Sequence, residues 1–280
     1  MLKCFMTSAV VLVSLSLCTP IDAQTGQPKP GAASAGTVPA PRRDLSGIWE
    51  PQAGGGDGIQ AFGAKNMPSD GKPEHELPYT PVGLAAWKAN KPGFGVTEVP
   101  AWLTNDPINI CDPGGFPRMN LYELRTIQIL QTPKQVLVLH LWEKRWRSIW
   151  TDGRQLKKEY DEPRWYGYSV GRWVSDTEFI IDTNGTDERT WLDNAGRPHS
   201  ADLMVQERFN RVSRDGLELT VTINDPVMYT KPWVALDKFR FKLMPDDFDI
   251  REMICSPTET AEYNKLIGKP VSDFTPVPSR

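Results

Sequence analysis

Side chains able to do acid–base chemistry are densest between positions 182 and 208. His199 stands there in a loop, Gly196-Arg197-Pro198-His199-Ser200, just ahead of a strand. An imidazole titrates near neutral pH and can pass a proton in either direction. With Asp202 or Glu207 as its carboxylate partner, His199 is the candidate proton shuttle. The competing reading is a surface histidine bonded within its own turn.

Glu207 carries the stronger signal. On a strand at 203–212 it shares a face with Leu203, Val205 and Phe209, while Met204, Gln206 and Arg208 take the other face. A carboxylate on an apolar face must be paired or must look into a wet lumen. Arg189 and Arg118 are the candidate partners. His140 poses the same question, since Val136, Val138 and Trp142 share its face.

The substrate-binding candidates are Arg118, Trp165 and Tyr168. Arg118 follows a turn-rich stretch, Cys111-Asp112-Pro113-Gly114-Gly115-Phe116-Pro117, and could hold an anionic or carbonyl oxygen. Trp165, Gly167, Ser169, Gly171 and Trp173 alternate along one strand face. Small residues between two aromatics leave a pocket floor, or room that a neighbouring side chain fills. Tyr168 lies on the opposite face and, with Trp165, could stack on a substrate.

No metal and no cofactor are expected. The chain has three histidines, at 75, 140 and 199, without His-x-His or His-Glu-x-x-His spacing. Glu74-His75-Glu76 reads as a solvated turn. Gly-x-Gly-x-x-Gly, Walker and Gly-x-Ser-x-Gly patterns are missing.

These residues need a scaffold, and the sequence describes one. Lys3, the apolar run Phe5–Leu17 and Ile21-Asp22-Ala23 form the pattern of a signal peptide over 1–23. Cys18 suggests a lipobox, but Leu17 is too large for one, so cleavage after Ala23 is expected. A secreted protein, periplasmic or extracellular, follows. Residues 24–42 are poor in large apolar side chains and read as a disordered leader; 269–280 read as a flexible tail. The net charge is −3 and no basic patch stands out, which argues against nucleic acid as a partner. No stretch after the signal is apolar enough for a transmembrane span. Oligomeric state is left open.

Between 44 and 268 a single β domain is expected. Asp44-Leu45-Ser46-Gly47-Ile48-Trp49 holds a first short strand. Period-two alternation then marks strands near 124–131, 135–143, 145–151, 166–174, 177–183, 203–212, 217–224 and 235–244. Leu217, Leu219, Val221 and Ile223 point one way; Glu218, Thr220 and Thr222 point the other. Short turns, among them Thr151-Asp152-Gly153-Arg154, join most of them. The fold class is therefore mainly β: an antiparallel up-and-down barrel or a strongly curved meander, closure removing exposed edges. Short helices are expected near 81–90, with Thr80 as N-cap and Pro81 at the first helical position, and at 257–267. The first of these, or the N-terminal segment, could cover the strand near 136–142. Ten tryptophans fit core filling or an aromatic ligand site.

Cys111 and Cys255 remain after the signal is removed, an even pair in an oxidising compartment. A disulfide between them is expected, worth roughly 4–5 kcal/mol on the chain-entropy model.

The segments Leu45-Ser46-Gly47-Ile48-Trp49, Cys111–Arg118, Ile149–Arg154, Gly167–Trp173, Arg189–Asp193, Pro198-His199-Ser200 and Tyr229–Trp233 resemble a family of uncharacterised secreted proteins from environmental bacteria. The resemblance runs from about 44 to 268. It implies a lipocalin-like barrel and no particular catalytic roles.

Two functions follow from these readings. One is a secreted barrel enzyme using metal-independent acid–base chemistry (elimination, hydration, isomerisation or hydrolysis) on a small organic molecule. The alternative is a non-catalytic binding protein for a hydrophobic or aromatic small ligand.

Overall fold

Nine strands close on themselves in sequence order, and the odd number has a consequence. Strand direction can alternate all the way round a ring only if the count is even. One neighbouring pair in this barrel must therefore run parallel, and it is the pair β4–β5.

The computed structural model describes residues 38–52, 76–122 and 124–267, all in one compact unit. The signal peptide, nearly all of the leader, the tail 269–280 and the Glu74-His75 turn lie outside the described residues. The strands are β1 Gly47–Pro51, β2 Ile127–Gln131, β3 Gln135–His140, β4 Trp146–Trp150, β5 Tyr168–Trp173, β6 Glu178–Asn184, β7 Met204–Asn210, β8 Gly216–Asn224 and β9 Trp233–Leu243. β1 pairs antiparallel with both β2 and β9 and closes the barrel. Among the described residues the α-helices are α1 Pro81–Ala89, α2 Arg118–Leu121 and α3 Pro257–Ile267. None of the described helices is long and apolar enough to cross a membrane.

The alternation puts side chains where the pattern requires. Leu217, Leu219, Val221 and Ile223 are all buried, as are Val205 and Phe209 on β7. With Phe179, Ile181, Phe239 and Phe241 they fill the barrel with a continuous apolar core. Gly171 is part of that packing: a Cβ there would lie 2.4 Å from Phe179. The room between Trp165 and Trp173 is thus partly taken by a neighbouring ring.

Two local expectations are corrected. The Asp152-Gly153 turn forms, with Asp152 accepting from the Arg154 amide at 3.3 Å, but it does not return the chain beside β4. Residues 151–167 cross over instead and deliver β5 parallel to β4, as a parallel neighbour requires. Helix α1 is capped as expected by Thr80, whose hydroxyl accepts from Gly83 N at 3.0 Å. It does not cover β3. Trp87 Nε1 donates to Ala195 O at 3.1 Å and Asn90 Nδ2 to Gly196 O at 2.7 Å, so α1 lies against the 195–196 loop.

The turn-rich segment 105–122 sends Phe116, Met119, Asn120 and Leu121 into the buried interior. Gly115 makes its bend possible. Its φ is +74°, and a Cβ would come within 2.4 Å of Thr190 Cγ2. Cys111 and Cys255 are bonded, with Cα atoms 5.6 Å apart, which ties this plug segment to the entry of α3. Asn264 Nδ2 on α3 adds a bond to Asn109 O at 2.9 Å.

Candidate functional site

The parallel pair is also the least paired one. β4 and β5 meet only at Ile149/Ser169 and Trp150/Val170. A groove of about 950 Å³ opens there, lined by Trp150, Tyr160, Arg164, Trp165 and Tyr168, with Arg147 and Ser169 also in its lining. Trp165 and Tyr168, read from the sequence as stacking residues, are thus brought together.

Guanidinium groups lie against the aromatic walls. Arg189 is 4.4 Å from the Trp165 centroid, Arg164 is 4.1 Å from that of Tyr168, and Arg154 is 3.6 Å from that of Trp150. Tyr160 stacks on Tyr168 at 3.7 Å with an interplanar angle of 6°. Arg154 and Arg189 also pair with Asp152 and Asp187. Among the described residues, Arg164 and Lys157 have no carboxylate partner. Arg189 holds the Asp187 carboxyl below its ordinary pKa by hydrogen bonding, so that pair stays ionised.

Beneath the groove sits the buried charge that the sequence reading sought. Glu207 is paired, but by Arg147 rather than by Arg189 or Arg118. Arg147 Nη1 and Nη2 donate to its two carboxylate oxygens at 2.9 and 2.8 Å. Asn120 Nδ2 donates to the same carboxylate at 2.6 Å, and Ser169 and Thr183 accept from Arg147 Nη2, each at 3.1 Å. The Phe116 ring lies 3.6 Å from the guanidinium carbon. Three protein N–H groups bond the Glu207 carboxylate, which leaves it poorly placed to take a substrate proton. His140 is buried on the same inner face. Burial, and then the Arg147 charge, lower its pKa to about 3, so its ring is neutral at pH 7.

His199 does not meet either carboxylate. It is buried, not a surface group, with Nδ1 3.1 Å from Ser200 O and Nε2 2.7 Å from Thr190 Oγ1. A carbonyl only accepts, so Nδ1 carries the proton of the neutral ring, while the Thr190 hydroxyl beside Nε2 also donates to Asp187 O at 3.0 Å. Burial lowers its pKa, which keeps the ring neutral. Asp202 is exposed. The acid that organises this loop is Asp225, which accepts from Ser200 N at 2.6 Å and Ser200 Oγ at 2.8 Å. His199, Asp202 and Glu207 therefore occupy three separate surroundings.

Arg118 is held by Asp106 through two bonds of 2.7 Å, with both side chains buried. It lines a different, smaller cavity that shares no residue with the groove. Among the described residues, no group of three or more His, Cys, Asp or Glu could hold a metal ion.

The residues missed by sequence reasoning are Arg147, Arg164, Tyr160 and Trp150. The run Arg145-Trp146-Arg147-Ser148-Ile149-Trp150 did carry a signal: Arg147 has the parity of the buried Ile149. No protein family, curated protein or solved structure matches the chain. The resemblance to secreted bacterial proteins rests on its motifs alone.

Proposed function

We propose that this is a non-catalytic binding protein for a small, flat aromatic molecule carrying an acidic group, held in the groove at the β4–β5 seam. One observation carries the reading: a groove of about 950 Å³ walled by rings, with guanidinium groups stacked on them. A stacked guanidinium keeps its outer face for another ring and its edge N–H groups for a carboxylate. Arg164 and Lys157 make no ion pair among the described residues, so their N–H groups are free to meet an acidic group, beside Asp161 and Glu162 in the same lining. The volume suits a small organic ligand.

Acid–base catalysis has less support, because its three candidate residues are apart and two of them are spent on internal bonds. We also place the protein outside the cytosol, as the signal-peptide reading expects. The Cys111–Cys255 bond is compatible with an oxidising compartment.

Thermal denaturation with a panel of benzoic and indole carboxylic acids, against their primary amides, tests the proposal. A ligand at 100 times its Kd adds about 2.7 kcal/mol of stability. Acids should stabilise the protein, amides should do so less, and Arg164→Ala should remove the difference. No stabilisation by any aromatic acid would sink the proposal. Turnover of a panel member would favour the enzyme instead.

A further inference from the structure

The cavity beside Arg118 has a chemistry of its own. Its volume is about 370 Å³, and its lining comes from residues 93–109, from Arg118 and Tyr122, from Asn194 and from α3. The Cys111–Cys255 bond ties the plug segment that carries Arg118 to the entry of α3.

Its charges are already cancelled, since Arg118 and Asp106 neutralise one another. What remains is uncharged and polar. Asn109, Asn194 and Asn264 line it together with Thr104 and Thr260. Two of its lining residues carry a buried side-chain atom without a partner among the described residues: Arg118 Nε, a donor, and Asn194 Oδ1, an acceptor. Their residues are 1% and 8% exposed. The Asn and Thr side chains of the lining offer both donors and acceptors to a hydroxyl group. Two aromatic side chains among the lining, Phe94 and Tyr263, are 51% and 57% exposed and so available to stack on an apolar ring face.

We propose that this cavity is a second ligand site and that it takes one neutral sugar unit. A pyranose joins hydroxyl groups that both donate and accept to a C–H face that lies on an aromatic ring. A charged ligand finds no free counter-charge here. The site is independent of the groove, and either can fail without the other.

Saturation-transfer NMR on the full chain tests it, with the methyl glycosides of glucose, galactose, mannose and N-acetylglucosamine, and glucuronate as a charged control. Transfer to at least one neutral glycoside is expected. Tyr263→Ala, an exposed change that leaves the core intact, should weaken binding about tenfold, the loss of one stacking contact. Asn194→Leu should weaken it by at least as much, and reducing the disulfide should weaken it as well. Thermal denaturation of each variant checks that it is folded. No transfer to any neutral glycoside overturns the proposal. So does stronger binding of glucuronate, or binding that Tyr263→Ala leaves unchanged.

Discussion

Arg147 and Glu207 face each other inside the barrel as a two-pronged ion pair, with N–O distances of 2.9 and 2.8 Å and both side chains buried. Arg147 stands on β4, at the seam where the odd strand number forces a parallel neighbour. Glu207 stands on β7. The pair therefore anchors the floor of the groove to the opposite part of the sheet.

Breaking the pair from one side should be costly. Glu207→Leu or Arg147→Met alone leaves a buried charge without its partner, at roughly 3–5 kcal/mol. Arg147→Met with Glu207→Leu removes both charges and should cost less than the two single changes added together. Urea unfolding of the four proteins measures the coupling. Additive losses would show that the two side chains do not act as a unit.

Stability should fall as the solution is acidified. His140 and His199 are buried and neutral, with pKa values below that of a free imidazole. The unfolded chain binds protons at these positions below pH 6.5, whereas folded His140 resists them down to about pH 3. Stability is complete above pH 6.5 and declines below it, by up to about 1.4 kcal/mol per pH unit for each histidine. Urea unfolding between pH 7 and pH 4 should show that slope, and His140→Leu should reduce it. A flat profile would mean that the imidazoles titrate as free groups.

The Cys111–Cys255 bond closes a loop of 144 residues. Its removal by Cys111→Ser and Cys255→Ser should cost about 4–5 kcal/mol. Non-reducing mass spectrometry of the native protein should show no alkylation at Cys111 or Cys255. Free alkylation of both would contradict the bond, and with it the tie between the plug segment and α3.

Much of the barrel was legible because its strands obey one rule. Leu217, Leu219, Val221 and Ile223 are inside, and the polar residues between them are outside. The same rule marked Glu207 as buried and in need of a partner. It misled over which partner, because β4 inverts the usual chemistry: Arg147 is 3% exposed while Trp146 beside it is 64% exposed. A cation pointing inward and an indole pointing outward look like the reverse of a core strand. Loop residues were harder. Asp202 is three positions from His199, yet sequence proximity says nothing of direction, and the Ser200 amide and hydroxyl turn to Asp225 instead. The parallel pair was hidden for a similar reason. Asp152-Gly153 is a good turn locally, and only closure of nine strands decides where the chain goes after it.

The central claim is that the seam groove is the ligand site, and indole N–H NMR tests it most directly. During titration with indole-3-carboxylate, the signals of Trp150 and Trp165 should shift together and saturate. Those of Trp49 and Trp233, buried in the core, should stay in place. Trp165→Ala should weaken binding about tenfold, as expected for one lost aromatic contact. Saturable binding that moves neither Trp150 nor Trp165, or no binding of any aromatic acid, would contradict the account.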